Sequence, residues 1–164
     1  MNGRRAIYPG SFDPITKGHL DIVQRGLKLF DHVTIAVAYN EDKEGGLFTP
    51  QERVEMIRTV TGSLGERVSV DAFHGLLVEY ARAVGAGTII RGLRAVADFE
   101  YEFQLATMNR HLTEEVETVF LTPTDKYTFI SSTLVREIAT LGGDISEFVS
   151  TTVKKALLDK VGRS

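Results

Sequence analysis

The chain contains no cysteine, which excludes disulfides, thiolate nucleophiles and cysteine-based zinc sites. It has no basic excess, since 22 acidic residues against 19 basic ones give a formal net charge of −3. A nucleic-acid coat or a membrane-surface protein ordinarily carries the opposite balance. Neither partner is therefore expected, although a local basic pocket for a small phosphorylated ligand stays open. Long apolar runs are missing too. No window approaches a membrane span, and Pro9-Gly10 interrupts the short run after Arg5 before it could act as a signal segment. A soluble, cytoplasmic protein is the expectation. G-x-x-x-x-G-K-[ST] is absent, no G-x-G-x-x-G follows the first strand, and no H-E-x-x-H occurs. A P-loop NTPase, the usual dinucleotide fingerprint and a metalloprotease helix all fall away.

What is present is a chain of 164 residues, 43% hydrophobic and 25% charged, enough for one well-packed domain spanning 1–164. Short apolar runs alternate with amphipathic ones. Strands are expected at Ala6–Tyr8, Val33–Ala38, Arg67–Phe73, Thr88–Arg91 and Glu117–Leu121. Between them, helices are expected at His19–Phe30, from the capping box Thr49-Pro50-Gln51-Glu52 to about Val60, at Leu76–Val84 and at Ala97–Leu112. Two more, from Ser131-Ser132-Thr133 to Leu141 and from Thr151 to Val161, close the sequence. Regular βα alternation with short connections implies right-handed crossovers. The fold class is α/β: a Rossmann-like, doubly wound five-stranded parallel sheet with C-terminal helices.

In such a sheet the loops after the strands share one edge, where nucleotides bind. The first loop, Gly10-Ser11-Phe12-Asp13-Pro14-Ile15-Thr16-Lys17-Gly18-His19, places a histidine at the opening of a helix, where backbone N–H groups and the dipole favour phosphate. The second holds Lys43. The fourth is Arg91-Gly92-Leu93-Arg94, and the fifth runs from Tyr127 to Thr133 with three consecutive hydroxyls. All can donate hydrogen bonds to phosphate oxygens.

Each feature also has a plainer reading. His19 could simply cap its helix, and Lys43 could be a solvated charge. Arg91 and Arg94 could form salt bridges to Asp98 or Glu102, and Ser131, Ser132 and Thr133 could serve only as caps. His32, His74 and His111 carry no functional signal. The stripe Phe99, Phe103, Leu105, Ala106 and Met108 reads as core or subunit contact, while Tyr101, Glu102 and Asn109 could face ligand or solvent.

Three blocks together resemble bacterial phosphopantetheine adenylyltransferase, of the T-x-G-H nucleotidyltransferase superfamily: Tyr8–Pro14 with Thr16-Lys17-Gly18-His19, Arg91–Glu102, and Phe129-Ile130-Ser131-Ser132-Thr133. The resemblance implies transfer of AMP from ATP to 4′-phosphopantetheine in coenzyme A synthesis, with magnesium bound through substrate phosphates and a homohexamer. By matched position, it implies that Ser11, Lys43, Leu77 and Arg91 hold the phosphopantetheine, with Asn109 along its arm. ATP would be held by Ser11, Phe12, His19, Gly92, Leu93, Arg94 and Glu102. Tyr127, Thr128, Phe129, Ile130, Ser131, Ser132 and Thr133 would complete its site.

In the chemistry so implied, the acceptor phosphate has its second pKa near 6 and needs no general base at neutral pH. His19 is assigned to the α-phosphate, Lys43 and Arg91 to the incoming phosphate, and Ser132 with Arg94 to the leaving pyrophosphate. The competing readings are another nucleotidyltransferase, with a nicotinamide mononucleotide or glycerol phosphate acceptor, and a non-catalytic nucleotide-binding module. The Arg91–Glu102 block argues against the first; His19, Lys43 and Arg91 argue against the second.

Overall fold

Five strands form one all-parallel sheet in the order β3-β2-β1-β4-β5 in a computed structural model describing residues 3–42 and 45–163. The strands are β1 (Arg5–Gly10), β2 (His32–Ala38), β3 (Val68–Phe73), β4 (Thr88–Gly92) and β5 (Glu117–Leu121). The first four crossovers are α1 (Lys17–Leu29), α2 (Pro50–Thr61), α3 (Leu77–Ala83) and α4 (Val96–Leu112). Helices α5 (Ser132–Thr140) and α6 (Thr151–Lys160) follow β5. The expected α/β class and alternation are both present. The winding reverses between β1 and β4, so the topological switch point lies there, where open α/β sheets bind their ligands.

The core divides by sheet face. Alternation in β1 sends Ala6 and Tyr8 to the larger cluster, with Ile22 and Val23 of α1, Ile57 of α2, Val135 of α5 and Leu157 of α6. Ile7 joins a smaller cluster with Val78 and Ala81 of α3, Ile89 and Val116. The middle of β2, Val33–Val37, is buried throughout, as expected for an interior parallel strand.

Two expected boundaries shift for a physical reason. Pro9-Gly10 does not end β1; it pairs with Ala36 and Val37 of β2. On the other side, β1 pairs with β4 at Ala6–Thr88 and Ile7–Ile89 and then parts from it. Pro9, which has no N–H to give, stands where that ladder has stopped. Helix α1 starts at Lys17 rather than His19, because the Thr16 hydroxyl accepts from the His19 backbone N–H. Two 3₁₀ turns, Gly62–Arg67 and Asp125–Tyr127, were not foreseen.

Candidate active site

The gap between the ends of β1 and β4 opens into a cleft of about 310 Å³. Its floor is the β1–α1 turn. Phe12 adopts a left-handed backbone (φ 48°), a conformation that costs free energy and clusters at functional turns. The Phe12 ring lies so close under Gly10 that a Cβ there would meet it at 3.1 Å. The same ring meets the imidazole of His19 edge-on, with centroids 4.9 Å apart.

His19 is both a cap and a site residue. Its Nδ1 accepts from the Thr16 backbone N–H at 2.9 Å, completing a capping box with the Thr16 hydroxyl. Burial, helped by the positive charge of Arg94, lowers its pKa to about 4. The ring is therefore neutral at physiological pH. With Nδ1 accepting, the proton sits on Nε2, and the half-buried ring lines the cleft. This geometry makes His19 a fixed hydrogen-bond donor and a poor base. A Cβ on Gly18 would meet no protein atom closer than 3.5 Å. Gly18 itself lines the cleft, with Thr16 and Tyr127 as its nearest neighbours.

The opposite wall comes from β4 and α4. Arg91 grips Glu102 with two donors (Nε–Oε2 2.6 Å, Nη2–Oε1 2.7 Å), and its Nη1 donates to the Pro9 carbonyl at 3.2 Å. Burial works against the Arg91 charge, but Glu102's hydrogen bonds and negative charge more than offset it and hold the guanidinium firmly protonated. Burial likewise raises the Tyr8 phenol pKa beside this pair, opposed by Arg91 and Arg94. Arg94 donates through Nε to Asp98 at 3.2 Å and through Nη1 to the Ile130 carbonyl at 3.0 Å. The salt-bridge reading of both arginines is thus real, and both still line the cleft with Gly92 and Glu102.

The third wall is the segment before α5. Tyr127, Ile130, Ser131, Ser132 and Thr133 line it. Ser131 caps α5, accepting from the Leu134 N–H, while Ser132 Oγ donates to the Pro14 carbonyl at 2.7 Å and so ties α5 to the β1–α1 turn. Asp21 of α1 anchors the approach to this segment by accepting from the Thr124 N–H and hydroxyl (2.8 and 2.9 Å) and from Arg25. Burial opposes the Asp21 charge, but the hydrogen bonds from Thr124 and Arg25 hold its carboxyl below the usual range.

Ser11, Phe12, His19, Arg91, Gly92, Arg94 and Glu102 therefore line one cleft, with five residues of the Tyr127–Thr133 segment. The others stand apart. Leu93 extends the β4–β5 pairing through its N–H to the Leu121 carbonyl. Phe129 is 85% exposed, and neither it nor Thr128 lines the cleft. Leu77 packs against the smaller core cluster, and Asn109 lies two turns beyond Glu102 on α4, roughly 10 Å along its axis. Lys43 falls outside the described residues. Sequence reasoning missed the buried pair Asp13 and Arg53 and the partly exposed Arg136, whose network joins the β1–α1 turn to α2 and α5. Among the described residues, no group of three or more His, Asp or Glu side chains could hold a metal ion, and no described helix is long and apolar enough to cross a membrane.

A parallel sheet with this switch-point cleft, a histidine at the first helix and hydroxyls at a later one is the architecture of a nucleotide-binding α/β protein. The cytidylyltransferase-like family matches residues 7–138, most of the sequence, and the chain belongs to it. Its fold is similar to that of a Vibrio parahaemolyticus protein described as a nicotinate-nucleotide adenylyltransferase. The two share 21% identity and a TM-score of 0.68, over 94% of this chain and 98% of that one.

Proposed function

We propose that the protein transfers AMP from ATP to 4′-phosphopantetheine, forming dephospho-coenzyme A and pyrophosphate. The observation that carries the chemistry is that, among the described residues, the cleft offers no ready base. His19 Nδ1 is taken by a backbone N–H, and both cleft carboxylates, Asp98 and Glu102, are held by arginines. An alcohol acceptor would need its proton removed; a phosphate monoester, a dianion above a pKa near 6, does not. The acceptor is a phosphate monoester, and the Arg91–Glu102 block supports phosphopantetheine among such acceptors.

In this reading an acceptor phosphate oxygen attacks the α-phosphorus of ATP. The new P–O bond forms as the bond to the β-phosphate oxygen breaks, and pyrophosphate leaves. His19 Nε2–H donates to the α-phosphate as charge builds there. Ser11, Lys43 and Arg91 steady the acceptor phosphate, and Arg94 with the start of α5 steadies the leaving group. Magnesium carried on the phosphate oxygens would spread their charge, which suits a cleft whose carboxylates are already paired. Leu77 and Asn109 are assigned to the pantetheine arm, beyond the cleft.

We also infer assembly into a homohexamer. Phe99, Tyr101, Phe103, Met108 and Leu112 of α4 are all at least half exposed, an apolar surface that a second copy would cover.

Pyrophosphate release tests the function, using ATP or CTP with 4′-phosphopantetheine, nicotinamide or nicotinate mononucleotide, or glycerol phosphate. Turnover is expected with ATP and 4′-phosphopantetheine. Preference for another acceptor overturns the substrate assignment, and tight ATP binding without turnover on any acceptor overturns the enzymatic reading.

A further inference from the structure

The most deeply buried ion pair near the cleft lines none of it. Arg53, in the first turn of α2, and Asp13, in the β1–α1 turn, have side chains only 5% and 6% exposed. Arg53 spends its whole fork on backbone carbonyls from two loops. Nε donates to Phe48 (2.9 Å), Nη1 to Ser11 (3.2 Å) and Nη2 to Gly45 (3.1 Å). Its Nε lies 3.5 Å from Asp13 Oδ1. The Asp13 carboxylate accepts from the Leu47 and Phe48 N–H groups at 2.8 and 2.9 Å. Arg136 of α5 donates to the Asp13 carbonyl at 2.6 Å.

Burying two charges carries a desolvation penalty that an apolar pair of the same size would avoid. Here the charges serve a geometric end, because they tie one stretch of backbone to another. The stretch Gly45–Phe48 is where the second crossover comes down onto the turn carrying Ser11. Gly46 is shaped to the same device. Its φ is +109°, and a Cβ there would fall 1.9 Å from Arg53 Nη2.

We propose that Arg53 and Asp13 are positioning residues for the phosphorylated acceptor. They fix Gly45–Phe48 against Ser11 and so set where the acceptor phosphate stands relative to the nucleotide. The proposal rests on the transferase reading above. Lysine could keep the charge but not reach three carbonyls at once, so charge and positioning can be separated.

The test is steady-state kinetics and equilibrium ATP binding for Arg53→Lys, Asp13→Asn and Gly46→Ala, with amide exchange at Leu47 and Phe48. Gly46→Ala disturbs the latch from an exposed position without changing a charge. It keeps the test informative if a buried-pair variant folds poorly. In each folded variant, exchange at those two amides should rise and kcat/KM for 4′-phosphopantetheine should fall roughly tenfold or more, with ATP affinity kept within about twofold. Equal losses for both substrates, or unchanged acceptor kinetics with faster exchange, overturn the proposal while the transferase reading stands. A wild-type protein that transfers to no acceptor removes both.

Discussion

Helix α1 turns Ile22, Val23 and Gly26 into the core, whereas α4, four residues longer, buries Glu102 alone among its described side chains. Both flank the same cleft. The first is sealed to the sheet by apolar packing, with Gly26 lying so close that a Cβ would meet Ile90 at 2.9 Å. The second is fastened at its start by ion pairs, Arg91 to Glu102 and Arg94 to Asp98, while its aromatic residues face outward. A cleft with one wall packed and one wall ion-paired has a rigid side and an adjustable side. His19 sits on the rigid side, where a transition-state donor must not wander. The arginines sit on the adjustable side, where ligand phosphates can compete for them.

The sharpest way to break that comparison is on the rigid side. His19→Ala should lower kcat by roughly 100-fold or more while leaving both substrate affinities near wild type, because a fixed donor acts chiefly as charge develops. Single-turnover kinetics with bound ATP would reveal it. An unchanged kcat would mean the imidazole is only a helix cap.

Stability separates the two helices next. Ile22→Ala removes a side chain that is 3% exposed and should cost about 2–5 kcal/mol by urea unfolding. Phe103→Ala, at a position 55% exposed, should change the stability of a separated subunit by less than about 0.5 kcal/mol. Phe103→Glu should shift the assembly toward single subunits on size exclusion with light scattering. A monodisperse wild-type monomer would remove the hexamer.

The ion-paired wall is probed by Glu102→Gln. It leaves the Arg91 charge without its carboxylate in a partly buried place. Breaking a fully buried pair costs about 3–5 kcal/mol, and the Arg91 side chain is 25% exposed, so about 2 kcal/mol is expected here. If the melting temperature and acceptor kinetics both stay put, the pair is not what holds α4.

How much of this was legible in the sequence follows the same division. Helix α1 and β2 could be read because their apolar spacing matches one face or an unbroken run. Helix α4 could not. Its apolar residues lie around more than one face, so no period tells which side meets the sheet. The Thr49–Glu52 capping box was visible as a local pattern and is present. The Arg53–Asp13 pair was not, because it spans 40 positions and an arginine on a helix ordinarily reads as solvated surface. The three cleft blocks were legible for their chemistry, but the meeting of β1 with β4 was not. Strand order comes from the winding of the whole sheet, which no single segment encodes.

A smaller effect than any of the site substitutions concerns the protonation of His19. Its pKa in the fold is about 4, against 6.5 for an ordinary histidine. Between these values the unfolded chain binds a proton that the folded chain does not. Stability therefore falls as pH drops below 6.5, and this contribution is fully present only above that value. From pH 7 to pH 5.5 the loss is about 1 kcal/mol, and the partial exposure of the ring makes that an upper figure. A variant without the imidazole, His19→Gln, should lose less stability than wild type over the same interval. Catalysis should follow the acceptor instead. With the imidazole neutral from pH 6 upward, kcat/KM should decline on the acid side near the phosphate's second pKa, about 6, before the imidazole protonates. An NMR titration placing the His19 pKa near 6.5 would reverse the order of these two events. It would also show the packed wall to be wetter than its contacts with Phe12 and Thr16 imply.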